Sequence, residues 1–107
     1  MRRHSRATAG AGAIAHNLAP ATQFQLNEVR VHLDIVGGAG DLTITLNAAA
    51  GAAYDQVLLT QDMTAVLDLI LLPVQPHDFV AGDEIDVAWP NVNDRTYGLD
   101  VIWSRTA

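Results

Sequence analysis

The chain has 107 residues and a mass of 11.4 kDa, the size of one compact domain with a single core. Half of its residues are hydrophobic and 17% are charged, which supplies enough apolar surface to exclude a wholly disordered chain. A formal net charge of −6 argues against binding of the body to nucleic acid or an anionic membrane, and the lack of cysteine removes disulfides, thiolate metal sites and thiol catalysis.

The charge is unevenly placed. All six basic residues are arginine, and Arg2, Arg3 and Arg6 stand in the first six positions without an acid among them. Residues 7–107 then hold three arginines against all twelve acids. Residues 1–21 are rich in Ala and Gly and end near Pro20, and they read as an extended basic arm with weak helical potential over Ala13–Leu18. The stretch Ala7–Ala21 contains Gly10, Gly12, His16, Asn17 and Pro20 and lacks a run of leucine or valine, so it is not read as a signal peptide. No apolar stretch approaches the ~20 residues that span a membrane as a helix. Arginine's planar fork suits carboxylate or phosphate, which makes Arg2, Arg3 and Arg6 candidate contacts to a partner; the other reading is a solvated tail.

From Thr22 the pattern turns to period two. Val29, Val31, Leu33 and Ile35 alternate with Arg30, His32 and Asp34, as in a half-buried strand. Phe24 and Leu26 lie in the opposite phase, so one strand can bury both sets only with a bulge near Asn27 and Glu28. Gly37–Asp41 ends it. Leu42–Leu46 predicts a second strand with Thr43 and Thr45 outward, the loop NAAAGAA leads to a third over Tyr54–Thr60, and Gln61-Asp62 reads as a turn.

Val66–Leu72 predicts a fourth strand bounded by Pro73 and Pro76, apolar on both faces except at Asp68. Such a strand is central or packs against another subunit, which nominates Val66, Leu67, Leu69 and Leu71 as interface candidates. Phe79 and Val80 read as entering a turn at Ala81-Gly82-Asp83. Glu84–Trp89 and Tyr97–Trp103 supply the last two strands, separated by a polar turn over Asn91–Arg95. Six or seven short strands without a long helix predict an all-β antiparallel β-sandwich, jelly-roll-like, over residues 22–107.

No catalytic motif accompanies these strands. His4, His16, His32 and His77 never fall at i, i+2 or i+4, so no metal site is expected from them. Asp83, Glu84, Asp86, Asn91, Asn93 and Asp94 offer oxygens for a calcium ion, but Gly82-Asp83 and Asn93-Asp94 are also ordinary turn chemistry. Gly37–Gly40 lacks the Gly-Lys-Ser/Thr ending of a phosphate loop. Ser5 and Ser104 lack the nucleophile elbow of a Ser-His-Asp hydrolase. Trp89 and Trp103 could stack on a sugar, although both share strand phase with aliphatic neighbours and so read first as core. No enzyme activity and no cofactor are expected.

The runs LTITLNAAAGAAYDQVLLTQDMT and DLILLPVQPHDFVAGDEIDVAWPNVNDRTYGLDVIW resemble small all-β virion structural proteins of tailed bacteriophages, over about Phe24 to Trp103. The residues that carry the resemblance are Leu42–Leu46, Gly51–Asp55, Ala81-Gly82-Asp83 and Thr96–Leu99. It implies a non-enzymatic role such as capsid decoration or stabilisation at the capsid surface of the virion. The implied partners are a major capsid protein or another virion protein, with self-association as a homo-oligomer, a trimer by analogy. The competing expectation is a carbohydrate- or receptor-binding module of a tail or fibre.

Overall fold

A computed structural model describes residues 1–10, 12–73 and 77–106. Nine strands run in chain order: β1 (Arg2–Ala9), β2 (Ile14–Leu18), β3 (Phe24–Leu33), β4 (Asp41–Asn47), β5 (Gln56–Asp62), β6 (Asp68–Leu71), β7 (His77–Phe79), β8 (Glu84–Trp89) and β9 (Tyr97–Arg105). One turn of 3-10 helix, Ala52–Tyr54, precedes β5. All pairings are antiparallel. Sheet A has the order β1-β9-β3-β6, with β7 also on β3, and sheet B has the order β2-β8-β4-β5. The expected all-β antiparallel sandwich is the fold.

The pairings nest about the β4–β5 connection: β4 with β5, β3 with β6 and β7, β2 with β8, and β1 with β9. The chain is thus a long antiparallel ribbon, and rolling it lays β9 against β3 and β8 against β4. Side chains of the two inner faces make the core, including Phe24, Leu26, Val29, Val31, Leu42, Ile44, Val87, Trp89, Leu99 and Val101. Burying each such side chain contributes about 1.5–3 kcal/mol. The phase change in β3 is resolved by a register shift between Leu26 and Glu28, the bulge that the opposed hydrophobic sets require.

Residues 1–21 do not form an arm. β1 pairs along its whole length with β9, and β2 with β8, so the basic segment is an edge strand of sheet A. Its inward residues Ser5, Ala7 and Ala9 are small, which leaves no hydrophobic period to read. Helical potential over Ala13–Leu18 yields to β2, where Ile14 and Leu18 reach the core. Ser5 Oγ and His16 Nε2, 2.8 Å apart, join the two edge strands across the sandwich. Burial lowers the His16 pKa, which favours the neutral ring.

Other elements shift in detail. Tyr54 belongs to the 3-10 turn and is exposed, and Gln61-Asp62 belongs to β5. Asp62 instead accepts bonds from Thr64 N and Oγ1, which hold its carboxyl below the usual range and start the next turn. β7 replaces the expected turn entry at Phe79. Pro76, expected to bound the fourth strand, lies outside the described residues. Ile35 is exposed because β3 ends at Leu33, where Asp34 N bonds Thr96 O. Gly37 packs: a Cβ there would sit 2.4 Å from the Met63 carbonyl oxygen, so the glycine run serves close approach of two loops. Asp83 is buried and accepts from Ala49 N and Val80 N, the turn chemistry read from its sequence.

Candidate interaction face

Pairing sorts the charged side chains by sheet. The strands of sheet A carry Arg2, Arg3, Arg6, Arg30 and Arg105, five of the six arginines, against Glu28, Asp68, Asp78 and Asp100. The strands of sheet B carry Asp41, Asp62, Glu84 and Asp86 and no arginine. The two sheets therefore differ in the arginines their strands carry, and on the outer face of sheet A Arg2, Arg6 and Arg30 stand among Glu28, Asp68, Asp78 and Asp100.

Register and strand alternation place the outer face of sheet A in rows. One row is Arg6, Asp100, Arg30 and Ile70; the next is Thr8, Gly98, His32 and Asp68; a third is His4, Ile102 and Glu28. The carboxylates paired with Arg30 and Arg6 sit low, whereas the Asp68 side chain is 60% exposed. Glu28 and Asp100 side chains are 10% and 17% exposed, whereas the Arg6 and Arg30 side chains are 69% and 54% exposed. Asp100 Oδ2 accepts from His4 Nδ1 at 2.8 Å and from Arg6 Nε at 3.3 Å. Arg30 Nε donates to Glu28, and this bond holds the Glu28 carboxyl below its ordinary range. His32 pairs with Asp68. An incoming surface thus meets the Arg6 and Arg30 ends, oriented by Asp100 and Glu28 beneath them, with the exposed Asp68 beside them.

Gly98 opens this face. It contributes no side chain between Thr8 and His32, and a Cβ added there would meet nothing within 4 Å. The result is a cavity of about 510 Å³ lined by Arg6, Arg30, His32, Asp68, Ile70 and Asp100, with Gly98 in its floor. Asp100 Oδ1 is buried and lacks a partner among the described residues.

Of the residues singled out from sequence, Arg2 and Arg6 fall on this outer face. Arg3 falls in the inward phase at the end of the sheet, where its guanidinium carbon lies 5.6 Å from the centre of the Trp103 ring, a cation–π contact. Trp103 is half-buried and edge-on to Phe24, with ring centres 6.2 Å apart. Trp89 is 1% exposed. The buried Trp89 therefore has no face open to a sugar, whereas Trp103 keeps part of its indole at the surface beside Arg3.

The fourth strand is a correction. Only Asp68–Leu71 form β6, and it is an edge strand on β3 rather than a central one. Val66, Leu69 and Leu71 are half-buried against the core, and Leu67 is exposed. The most open apolar side chains here are Ile70 and Leu72. Among the described residues no group of three His, Asp or Glu side chains is arranged to hold a metal ion. Arg30, Asp100 and Gly98 carry no motif; only the register of β3 against β9 brings them together.

The outer face of sheet B is built differently. Asp86 lies between Asn17 and Thr45 in register, with Glu84 two residues away on the same face. A depression of about 420 Å³ there is lined by Thr45, Asn47, Asp55, Gln56, Val57 and Asp86. Burial, then Glu84 and Asp55, push the Asp86 pKa up to about 6. The folded chain therefore holds a proton at Asp86 up to about pH 6, whereas the unfolded chain releases it near its ordinary value of 3.8. That stabilisation is complete below pH 3.8 and is lost as pH rises through 6. Asp86→Asn is expected to stabilise the fold at pH 7.5 by on the order of 1 kcal/mol and to leave it nearly unchanged at pH 4. Urea melts at the two pH values check this.

No protein-family model matches the chain, and no curated protein matches it in sequence.

Proposed function

We propose that this chain is a non-enzymatic virion structural protein of the capsid-decorating type, which attaches through the outer face of sheet A to carboxylates on a neighbouring virion subunit. The observation that carries the reading is the outer face of sheet A, where Arg2, Arg6 and Arg30 project and the Arg6 and Arg30 guanidiniums stand above Asp100 and Glu28 beside an open cavity. Two supports stand beside it. The nested strand order, with β6 and β7 taken as one interrupted strand, supports a jelly-roll reading, a fold common among viral capsid and lectin domains. The sequence resemblance to tailed-phage virion proteins points the same way.

Attachment here replaces a flexible arm by a rigid face. Arg6 and Arg30 keep their geometry through Asp100 and Glu28, so less side-chain freedom is lost on docking than for free arginines. Reversing both charges, Arg6→Glu with Arg30→Glu, is expected to lower occupancy on purified particles at least ten-fold and to remove most of its salt dependence. Unchanged occupancy would take this face out of the attachment. The carbohydrate-binding alternative predicts instead that glycan binding survives this double variant.

A further inference from the structure

We infer that the cavity over Gly98 receives an aromatic ring bearing a hydroxyl, a tyrosine-type side chain that the docking partner of sheet A projects into it. The inference rests on reading sheet A's outer face as a docking surface, and it names the group at the centre of the contact.

The charges of the wall select a neutral occupant. Arg6 and Arg30 line the cavity together with Asp68 and Asp100, and both arginines already have carboxylate partners in Asp100 and Glu28. A carboxylate or an ammonium brought to the centre would lose water and meet a like charge for each opposite one, a cost that an uncharged group escapes. The rim is different. There the exposed ends of Arg6 and Arg30 keep N–H donors for carboxylates of the partner.

The floor selects a ring. Gly98 lies in β9 between Thr8 of β1 and His32 of β3, and a Cβ there would meet nothing within 4 Å. A strand glycine leaves a flat patch of backbone with no side chain to pack, and an aromatic ring lying over it supplies the missing contact. Ile70, 61% exposed, gives such a ring an apolar neighbour. The Arg6 and Arg30 guanidiniums offer cation–π contact from the adjoining row. The chain makes a contact of this kind for itself, with Arg3 5.6 Å from the centre of the Trp103 ring. Asp68, an exposed carboxylate on the wall, supplies an acceptor for the phenol O–H, which distinguishes a tyrosine from a phenylalanine. An aromatic anchor in a pocket with a polar rim is the usual form of an interface hot spot.

Titration of the full-length, isotope-labelled chain with p-cresol, the tyrosine side chain as a free molecule, tests this by amide chemical shifts. The expected result is saturable shifts centred on Thr8, Gly98 and His32, with a Kd on the order of 1 mM. The saturated analogue 4-methylcyclohexanol keeps the outline and the hydroxyl without the π system, and it should bind about five-fold more weakly. Acetate should not compete. Gly98→Trp fills the cavity and should abolish the shifts, and Asp68→Ala, at an exposed edge position, should weaken p-cresol by about three-fold or more. A dispersed amide spectrum establishes that each variant is folded; if Gly98→Trp unfolds, Gly98→Val takes its place. Absence of saturable shifts at these amides, equal binding of the saturated analogue, or shifts unaltered by filling the cavity overturns the inference. If p-cresol fails to bind while Arg6→Glu with Arg30→Glu still lowers particle occupancy, the attachment reading stands and the aromatic site falls. If p-cresol binds and neither that double variant nor Gly98→Trp alters occupancy, the aromatic site stands and the attachment reading falls.

Discussion

Asn91→Ala is expected to cost about 3 kcal/mol of folding stability, the largest effect of any polar substitution in the chain. Asn91 is 1% exposed and joins the β1–β2 loop to its own β8–β9 loop at one end of the sandwich. Its Nδ2 donates to Gly12 O at 2.7 Å and to Arg95 O at 2.9 Å, and its Oδ1 accepts from Arg95 N at 2.8 Å. Alanine would leave these part-buried backbone groups without their partner, each costing about 1–3 kcal/mol less whatever water recovers. Asn91 also has φ 49°, a left-handed conformation that asparagine tolerates better than alanine. Arg95 continues the connection by donating its Nε to Val36 O, so the loss spreads to the β3–β4 loop. Asn91→Asp should be comparably damaging at neutral pH, because a carboxylate would face two carbonyl oxygens. A shift in the urea midpoint equivalent to less than about 1 kcal/mol for Asn91→Ala would show that this junction carries little of the stability.

Gly98→Trp is expected to leave stability within about 1 kcal/mol of the unmodified chain while abolishing attachment. Most glycines that face other atoms cannot accept a side chain: at Gly37 a Cβ would collide with the Met63 carbonyl. At Gly98 the space is open, and the cavity above it is the room that the indole would fill. Strand propensity favours an aromatic over glycine, which offsets the cost of exposing the ring. The substitution removes no charge, so lost attachment would be steric and would separate the cavity from the general pull of the arginines. Particle occupancy with thermal melts on the same sample reads both effects. Normal occupancy would mean that the partner rests on the arginine rim and never enters the cavity.

The sequence revealed those parts of the fold in which inward positions are large and apolar. β3, β4, β8 and β9 announce themselves through Val29, Ile44, Val87 and Leu99 and their alternating neighbours, and the β3 bulge follows because Leu26 and Val29 cannot share a face without one. β1 stayed hidden: Ser5, Ala7 and Ala9 are the residues that a thin sandwich edge needs, and they look like a linker. β2 was masked by Ala15 and by the helical preference of its surroundings, although Ile14 and Leu18 fit either period. Met63 is fully buried yet sits in a turn, where no period exists to mark it.

The candidate site was less legible than the fold. Arg2 and Arg6 drew notice as a basic cluster, but their position beside Asp100 depends on pairing between residues more than ninety apart in sequence. Alternation states which face a side chain takes and is silent on which strands adjoin. Gly98 carried no signal of its own in the sequence, and its role appears when Thr8 and His32 flank it. The central-strand reading of Val66–Leu72 failed for a related reason: an apolar strand at a short edge and one at a sheet centre have the same composition.

The most direct test of a virion role is peptide mass spectrometry of purified phage particles from the source, with this chain's copy number measured against the major capsid protein. The account predicts a count comparable to the capsid protein, as a lattice-wide decorating subunit requires. A few copies per particle would place it at a tail or fibre, and absence from the particle would contradict the account outright.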